Sequence, residues 1–354
     1  MATEFTSNLF TIKVAAVQRL STILLCLTML VTSCVTAVSQ EPAHTSPVRI
    51  GMIGLDTSHA IAFPRIFNNP QAVGVLADFK VVAGYPGGTD IPDSRDRVQG
   101  FTEQIREMGI EIVESIPALI DKVDVILLES VDGRIHLQEA IQVIKAGKPL
   151  FIDKPLAGSL TDAIAIFELA RLHNVPCFSS SSLRYCAGIQ ELNGNKQIGE
   201  IQGAATWFPC TYQEDTPDMF FYGIHGIEAL YALMGTGCET VARVQAEDAD
   251  SITGVWQGGR VGTFRGIRRN KANFGAVAFG STGIAQTDNG EGYEQLCKEI
   301  AEFFKTGQAP VNSEETIELF AFMEAADESK RQGGVPVALA DVLAKARAAA
   351  SSEK

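Results

Sequence analysis

Three side chains carry acid–base chemistry at suitable spacing: Lys154, His225 and Glu228. Lys154 follows an apolar, strand-like segment and precedes Pro155, which restricts the backbone there. A partly desolvated lysine at a strand end can donate a hydrogen bond to a hydroxyl. His225 and Glu228 share a helix face, where the carboxylate would fix the imidazole tautomer for proton transfer. The alternatives are a solvated lysine in a turn and a core histidine capped by a glutamate.

A second candidate site is the segment GLDTSH, residues 54–59, which follows the apolar strand VRIGMI. A dinucleotide-binding loop reads G-x-G-x-x-G at this position. Only the first glycine is present, because Asp56 and His59 replace the second and third. Asp56 either repels a diphosphate or caps the following helix by binding amides near Ser58. The predicted cofactor contacts in this segment are Gly54, Leu55, Asp56, Thr57, Ser58 and His59.

The elements around these residues predict an α/β fold. Over residues 47–180, apolar strand-like segments alternate with amphipathic helical ones, with Ser115 as a helix N-cap and Gly147 closing a helix. Strands buried on both faces and separated by helices are typical of a doubly wound parallel sheet. We therefore expect a Rossmann-type, dinucleotide-binding domain over residues 47–180.

The pattern changes after residue 181. Neighbouring strand-like segments follow one another over residues 181–345 with few helices between them. Such a run predicts an α+β domain with an open, largely antiparallel sheet. Because ligands of doubly wound sheets bind outside the carboxyl ends of the strands, the cleft between the two domains is the expected site.

The charge of the chain excludes some partners. Its 354 residues carry a formal net charge of −13. Nucleic acids and anionic membranes attract basic surfaces, so we expect neither as a partner. The cysteines show no disulfide framework, and no His/Cys/Asp cluster has zinc-ligand spacing, so spacing alone predicts no metal site.

The N-terminus, residues 1–40, has the pattern of an export signal. Lys13 and Arg19 precede an apolar run from Leu20 to Val38. The segment VTSC resembles a lipoprotein signal and would make Cys34 a lipid anchor, whereas AVS fits an ordinary cleavage site. An uncleaved anchor is the third option, because the run is close to membrane-spanning length. The sequence predicts an exported protein, either periplasmic or a membrane-anchored lipoprotein.

Three motifs in order resemble the Gfo/Idh/MocA oxidoreductases, named for glucose–fructose oxidoreductase and inositol dehydrogenase. VDVILLESVDGRIHLQEAIQVIKAGKPLFIDKPLAGS is similar to the family's fourth strand, histidine helix and Glu-Lys-Pro turn, here Asp153-Lys154-Pro155. GIHGIEALYALMG is similar to the His-x-x-Asp helix. AEFFKTGQAPVNSEETIELFAFMEAADESKRQGGVPVAL is similar to the family's C-terminal ending. The resemblance spans residues 48–339.

This resemblance implies hydride transfer between NAD or NADP and a sugar, cyclitol or polyol, with Lys154 polarising the reacting hydroxyl. It also implies a homo-oligomer, since the open sheet often serves as a dimer face. Phe221 stands where the family often has an aspartate, so Tyr222 is a candidate proton relay. The further cofactor contacts that the resemblance implies are Glu129, His136, Asp153 and Lys154; the substrate contacts are Arg184 and Tyr185.

Two other functions fit the same residues. A cofactor-poor or metal-assisted lyase or hydratase of oxidised sugars would place Asp56 and His59 opposite His225 and Glu228, as two His–carboxylate pairs. A non-catalytic sugar-binding protein would retain the fold with a decayed loop. The serine run in FSSSSLRY, Phe178 to Tyr185, would bind polyol hydroxyls or form a hinge.

Overall fold

Short, aliphatic strands build a six-stranded parallel sheet in the first part of the chain. Its order is β3-β2-β1-β4-β5-β6, so successive strands are added on one side of β1 as far as β3 and on its other side from β4 onward. This order is the Rossmann arrangement, which confirms the predicted doubly wound sheet. The strands are Val48–Ile53 (β1), Phe79–Tyr85 (β2), Glu111–Ile112 (β3), Val125–Leu128 (β4), Leu150–Ile152 (β5) and Cys177–Ser179 (β6).

The second sheet has seven strands in the order β12-β11-β7-β10-β9-β8-β13. Only β7 and β10 pair in parallel, so the sheet is largely antiparallel, as predicted. Buried and exposed residues alternate along β9 and β10, because one face packs on helices. The strands are Ile201–Pro209 (β7), Cys238–Gln245 (β8), Ala249–Trp256 (β9), Val261–Ile267 (β10), Gly275–Gly280 (β11), Ile284–Thr287 (β12) and Val337–Ala338 (β13).

Helices cover the first sheet and one face of the second. The α-helices are His59–Phe67 (α1), Pro92–Arg95 (α2), Val98–Glu107 (α3), Ile116–Ile120 (α4), His136–Lys145 (α5), Leu160–Leu172 (α6), Ala187–Asn193 (α7), Ile224–Met234 (α8), Glu294–Thr306 (α9), Ser313–Arg331 (α10) and Leu339–Ser352 (α11). The 3₁₀ turns are Gly74–Asp78, Gly133–Ile135, Ser182–Tyr185 and Gln257–Gly259, and Met219–Gly223 is a π-helical turn directly before α8.

The C-terminal part of the chain returns to the first sheet. Leu296, Ile300 and Phe303 of α9 lie in the same hydrophobic cluster as Ile50 and Phe63. In addition, α11 packs against α6. The division at residue 180/181 stays a prediction from sequence pattern, and the cores on either side of it share elements.

This computed structural model describes residues 46–269, 273–288, 290 and 292–352. Residues 47–354 cluster as one unit. No helix within the described residues is long and apolar enough to cross a membrane. The predicted signal over residues 1–40, with Cys34 as its candidate lipid anchor, lies outside the described residues.

The packing of α8 on the second sheet gives a stability prediction. A methyl group added at Gly226 would lie 2.2 Å from Cε2 of Phe264, so the ring or the helix must move. We expect Gly226→Ala to lower the free energy of unfolding by about 1–3 kcal/mol, measured by urea denaturation. Gly100→Ala is the matched control, because nothing lies within 4 Å of its added methyl group. Equal destabilisation by both substitutions would contradict the packing argument.

Candidate functional site

A cavity of about 720 Å³ opens where the β1–α1 turn and the end of β5 meet the second sheet. Its position outside the carboxyl ends of the parallel strands is the expected ligand site of this fold. The lining includes Thr57, Ser58, His59, Arg97, Val131, Lys154, Ser182, Phe208, Tyr222, His225, Phe274 and Tyr293.

Lys154, Tyr222 and His225 come together in this cavity. Lys154 follows Asp153 at the end of β5, and its peptide bond to Pro155 is cis. Its Nζ lies 5.9 Å from the centre of the Tyr222 ring, and that ring lies 5.9 Å from the His225 imidazole. Burial, and then the Lys154 ammonium, hold the pKa of His225 well below its ordinary value. A cation, a phenol and a neutral imidazole therefore face one space.

The predicted His225–Glu228 pair is wrong. Nδ1 of His225 lies 2.8 Å from the Ser181 hydroxyl oxygen. Glu228 instead accepts hydrogen bonds from the Ser180 hydroxyl at 2.6 Å and from Nε of Arg184 at 2.8 Å. Ser181 therefore orients the imidazole, and the serine run was the sequence signal for it. His225 and Glu228 share a helix face but do not pair, because Ser181 contacts His225 and Ser180 contacts Glu228.

The π-helical turn Met219–Gly223 sets the start of α8. A π turn inserts an extra residue into a helix and is frequent at functional sites. Phe221 is buried there, whereas Tyr222 is partly exposed and lines the cavity. The sequence predicts Tyr222 at the site, but neither composition nor periodicity predicts the π turn.

The β1–α1 turn contributes only part of its predicted contacts. Thr57, Ser58 and His59 line the cavity. Leu55 is fully buried in the core, and its amide donates to the carbonyl oxygen of Pro86. Asp56 is also fully buried and accepts hydrogen bonds from the Val131 amide at 2.9 Å and from the Ser94 hydroxyl at 2.6 Å.

The predicted helix cap by Asp56 is wrong. The helix cap is Ser58, and no side chain caps the amides there. Asp56 ties the end of β1 to the loop after β4, because Val131 lies in that loop. It also does not form the second His–carboxylate pair opposite His225 and Glu228. Burial raises the pKa of Asp56, although both of its hydrogen bonds favour the charged form.

Gly54 makes a close approach that no other residue allows. Its φ is +84°, in the left-handed region that favours glycine. A methyl group there would lie 2.3 Å from the amide nitrogen of Ser130. Gly54, the first glycine of the G-x-G-x-x-G pattern, therefore allows both the left-handed turn and the close packing of the loop after β4 against it.

His59, Glu129 and Asp153 form a buried cluster beside the cavity. Nδ1 of His59 lies 2.7 Å from Oδ2 of Asp153 and 3.8 Å from Oε2 of Glu129. Burial and the adjacent Asp153 carboxylate raise the pKa of Glu129 well above its ordinary value. Burial alone would raise the pKa of Asp153 as well. The neighbouring His59 and Lys154 have a larger opposite effect and lower the pKa of Asp153 to about 2. All three were predicted cofactor contacts, and their mutual contact was not predicted.

His136 lies outside the cavity lining and is fully buried. Its Nε2 lies 2.7 Å from the Ser130 carbonyl oxygen, and its Nδ1 lies 3.3 Å from that of Leu156. Burial lowers the pKa of this imidazole. His136 therefore joins the loop after β4 to the loop after β5 and shapes the site without facing the cavity.

The predicted substrate contacts Arg184 and Tyr185 do not line the cavity either. Arg184 forms ion pairs with Glu228 at 2.8 Å and with Glu315 at 2.5 Å. Tyr185 is packed against the core of the first sheet, and burial raises the pKa of its phenol. Neighbouring Ser182 lines the cavity instead. Arg184 connects the domain junction to α10, which is a positioning role.

Glu139 gives a pH-dependent stability prediction. Its carboxylate accepts a hydrogen bond from the Ser130 hydroxyl at 2.7 Å, and burial raises its pKa from 4.5 to about 7. Between these two values the folded chain holds a proton that the unfolded chain releases, so stability falls as pH rises. From about pH 5 to about pH 8, we expect the wild type to lose about 2 kcal/mol more unfolding free energy than Glu139→Gln. Parallel urea-denaturation curves for both proteins across this range would contradict the burial argument.

Comparisons with known proteins agree with this fold. Residues 93–181 match the family model described as the oxidoreductase family, NAD-binding Rossmann fold, GFO_IDH_MocA. A dTDP-3,4-didehydro-2,6-dideoxy-alpha-D-glucose 3-reductase from Actinomadura kijaniata is 24% identical over 226 residues, which cover 60% of this chain and 63% of that relative. An uncharacterized oxidoreductase from Streptococcus pneumoniae is 23% identical over 153 residues, which cover 38% of this chain and 41% of that relative.

Two solved structures show the same fold at low identity. A probable dehydrogenase from Thermotoga maritima is 20% identical with a TM-score of 0.68, and the match covers 83% of this chain and 100% of that one. A myo-inositol 2-dehydrogenase from Lactobacillus plantarum is 17% identical with a TM-score of 0.67, covering 82% and 99%. Residues 93–181 therefore match the Gfo/Idh/MocA oxidoreductase family model, and the two-sheet architecture is the fold that these solved structures share.

Proposed function

We propose that this protein is an NAD(P)-dependent oxidoreductase acting on a hydroxyl or ketone carbon of a sugar, cyclitol or polyol. The observation that carries the proposal is the convergence of Lys154, Tyr222 and His225 in one cavity at the carboxyl edge of a Rossmann sheet. The match of residues 93–181 to an NAD-binding oxidoreductase family model supports hydride chemistry. The relatives named above as a deoxysugar reductase and an inositol dehydrogenase support a polyhydroxylated substrate.

The site fits a nicotinamide dinucleotide at one end of α1. Thr57 and Ser58 line the cavity at the N-terminus of this helix, where backbone amides and the helix dipole favour phosphate. Gly54 supplies the required turn. The second and third glycines are replaced by the buried side chains of Asp56 and His59. We therefore assign the phosphate contact to Thr57 and Ser58 and the nicotinamide side to Lys154.

The side chains of the cavity can manage the substrate proton. The Lys154 ammonium is a hydrogen-bond donor for the reacting oxygen. His225 is neutral near pH 7 because burial and Lys154 lower its pKa. With Nδ1 next to Ser181, Nε2 is the nitrogen left to accept the hydroxyl proton. Tyr222, whose ring centre lies 5.9 Å from both Nζ of Lys154 and the His225 ring, is the candidate to relay that proton. When bound, the nicotinamide supplies the hydride acceptor or donor.

The cellular setting is a further part of the proposal. We propose export through residues 1–40, giving either a periplasmic protein or a membrane-anchored lipoprotein with Cys34 as its lipid anchor. The charge pattern and apolar run of that segment support export. An exported enzyme must retain or recycle its nicotinamide, because free nicotinamide is scarce outside the cytoplasm. We also propose a homo-oligomer, since one face of the second sheet exposes Val255, Val261 and Phe279.

Cofactor binding is tested with the purified full chain. We expect mass spectrometry to detect retained nicotinamide, or fluorescence titration with NAD(H) and NADP(H) to show saturable binding. Failure of both nucleotides to bind would contradict the oxidoreductase proposal. Turnover of oxidised sugars without any nicotinamide would favour the lyase or hydratase instead.

Catalysis is tested separately at Lys154. Because loss of a positioned proton donor typically costs about 10²–10⁴-fold, we expect Lys154→Met to lower kcat/KM by that factor. Nicotinamide affinity should change much less. Lys145→Met is the matched control, because Lys145 is exposed at the end of α5 and outside the cavity lining. Equal activity of the two variants would contradict the role of Lys154.

A further inference from the structure

We propose that His59, Glu129 and Asp153 bind one divalent transition-metal ion of the Mn²⁺ or Zn²⁺ class. One ligand atom from each residue lies within 4.8 Å of the other two. His59 begins α1, whereas Glu129 and Asp153 follow β4 and β5. The three residues meet because β1, β4 and β5 are neighbours in the parallel sheet and end at the same edge. This proposal does not rest on hydride transfer.

The first argument is the number of unpartnered ligand atoms. Glu129 is fully buried, and neither of its carboxylate oxygens has a hydrogen-bond partner among the described residues. Oδ1 of Asp153 and Nδ1 of His59 also lack one within that part of the chain. Nδ1 does lie 2.7 Å from Oδ2 of Asp153, which is the other oxygen of that carboxylate. Buried polar groups are almost always satisfied, so unpartnered oxygens of both Glu129 and Asp153 in one buried cluster with His59 indicate a missing ligand.

The second argument is the donor set. Carboxylates alone suit Mg²⁺ or Ca²⁺, but an imidazole nitrogen favours transition metals. One imidazole and two carboxylates are common ligands for Zn²⁺ and Mn²⁺. Three protein ligands also leave coordination positions for water or a substrate oxygen, as in catalytic metal sites. His59 lines the cavity, so a metal at this position is reached from the cavity.

The third argument is that the imidazole is held in place before any ion binds. The His59 ring stacks on Phe63 with ring centres 5.0 Å apart. The edge of Tyr293 contacts it with ring centres 4.6 Å apart. Rigid packing of a ligand side chain lowers the entropy that metal binding must overcome. These two aromatic residues fix the ring with Nδ1 toward the carboxylates.

Charge balance favours the same conclusion. Two buried carboxylates meet here, and the neighbouring cation is Lys154, which acts electrostatically on both. Asp56 also adds negative potential at Glu129, although its own oxygens are hydrogen-bonded. A buried charge is costly unless it is paired or bound to a metal. A divalent cation would add to the countercharge that Lys154 supplies to this cluster.

The direct test is anomalous diffraction from crystals of the full chain soaked in ZnCl₂ or MnCl₂. We expect one peak per chain about 2.0–2.2 Å from Nδ1 of His59 and within coordination distance of both carboxylates. Absence of this peak, with metal bound elsewhere or nowhere, overturns the proposal. This measurement uses the wild-type protein, so it does not depend on whether a variant folds.

Solution binding provides the second test. After chelation and dialysis, the full chain should bind about one Mn²⁺ by electron paramagnetic resonance titration. Glu129→Gln and Asp153→Asn should each weaken this binding by about 100-fold or more, because each removes one of the carboxylates that would coordinate the metal directly. Glu139→Gln is the matched control: it removes a buried carboxylate nearby that is already hydrogen-bonded to Ser130. Equal weakening in all three variants, or no binding to the wild type, overturns the proposal.

Nicotinamide titration of the metal-free and the metal-loaded chain distinguishes failure of the metal-site proposal from failure of the proposed oxidoreductase function. Metal binding that depends on His59, Glu129 and Asp153 stands even if no nucleotide binds. Conversely, nucleotide binding with no metal peak leaves the oxidoreductase intact and removes the metal site.

Discussion

The ends of β1, β4 and β5 meet at one edge of the parallel sheet, and this places ionisable side chains where water is excluded. Glu129 and Asp153 are buried there because their strands lie side by side, and His59 follows the β1 turn into the same space. The loop after β4 packs closely against Gly54, and its Val131 amide donates a hydrogen bond to Asp56. The β1–α1 turn and the loop after β4 therefore cannot separate without losing these contacts. The chemistry of the site therefore depends on how this buried charge is neutralised.

The cavity has two walls with different physical characters. The wall from the first sheet presents the N-terminus of α1, His59 and Lys154. The wall from the π-helical turn and α8 presents Tyr222 and a neutral His225 oriented by Ser181. A polar, cationic side facing a proton-accepting side is suited to a substrate hydroxyl. Tight packing at Gly226 against Phe264 holds the second wall in place.

The sequence was sufficient for the fold because hydrophobic pattern and turn residues determine it locally. Apolar strands, the Ser115 cap and the positive φ at Gly147 all agree with the expected elements. Contacts within the site were harder to predict. Helical spacing predicted a contact between His225 and Glu228. Instead, Ser181 and Ser180, which lie in a different segment, form hydrogen bonds with His225 and Glu228 respectively. Asp56 follows cap preferences in sequence, yet its partners Ser94 and Val131 are 38 and 75 residues away. Such partners depend on tertiary packing, which no local pattern contains.

The proposed function requires that nicotinamide chemistry occurs in this cavity. A crystal structure of the full chain with NAD⁺ or NADP⁺ tests this directly. We expect nicotinamide density bordered by Lys154 and His225, with phosphate density at Thr57 and Ser58. An empty cavity at saturating nucleotide, or a nucleotide bound on another surface, would contradict it.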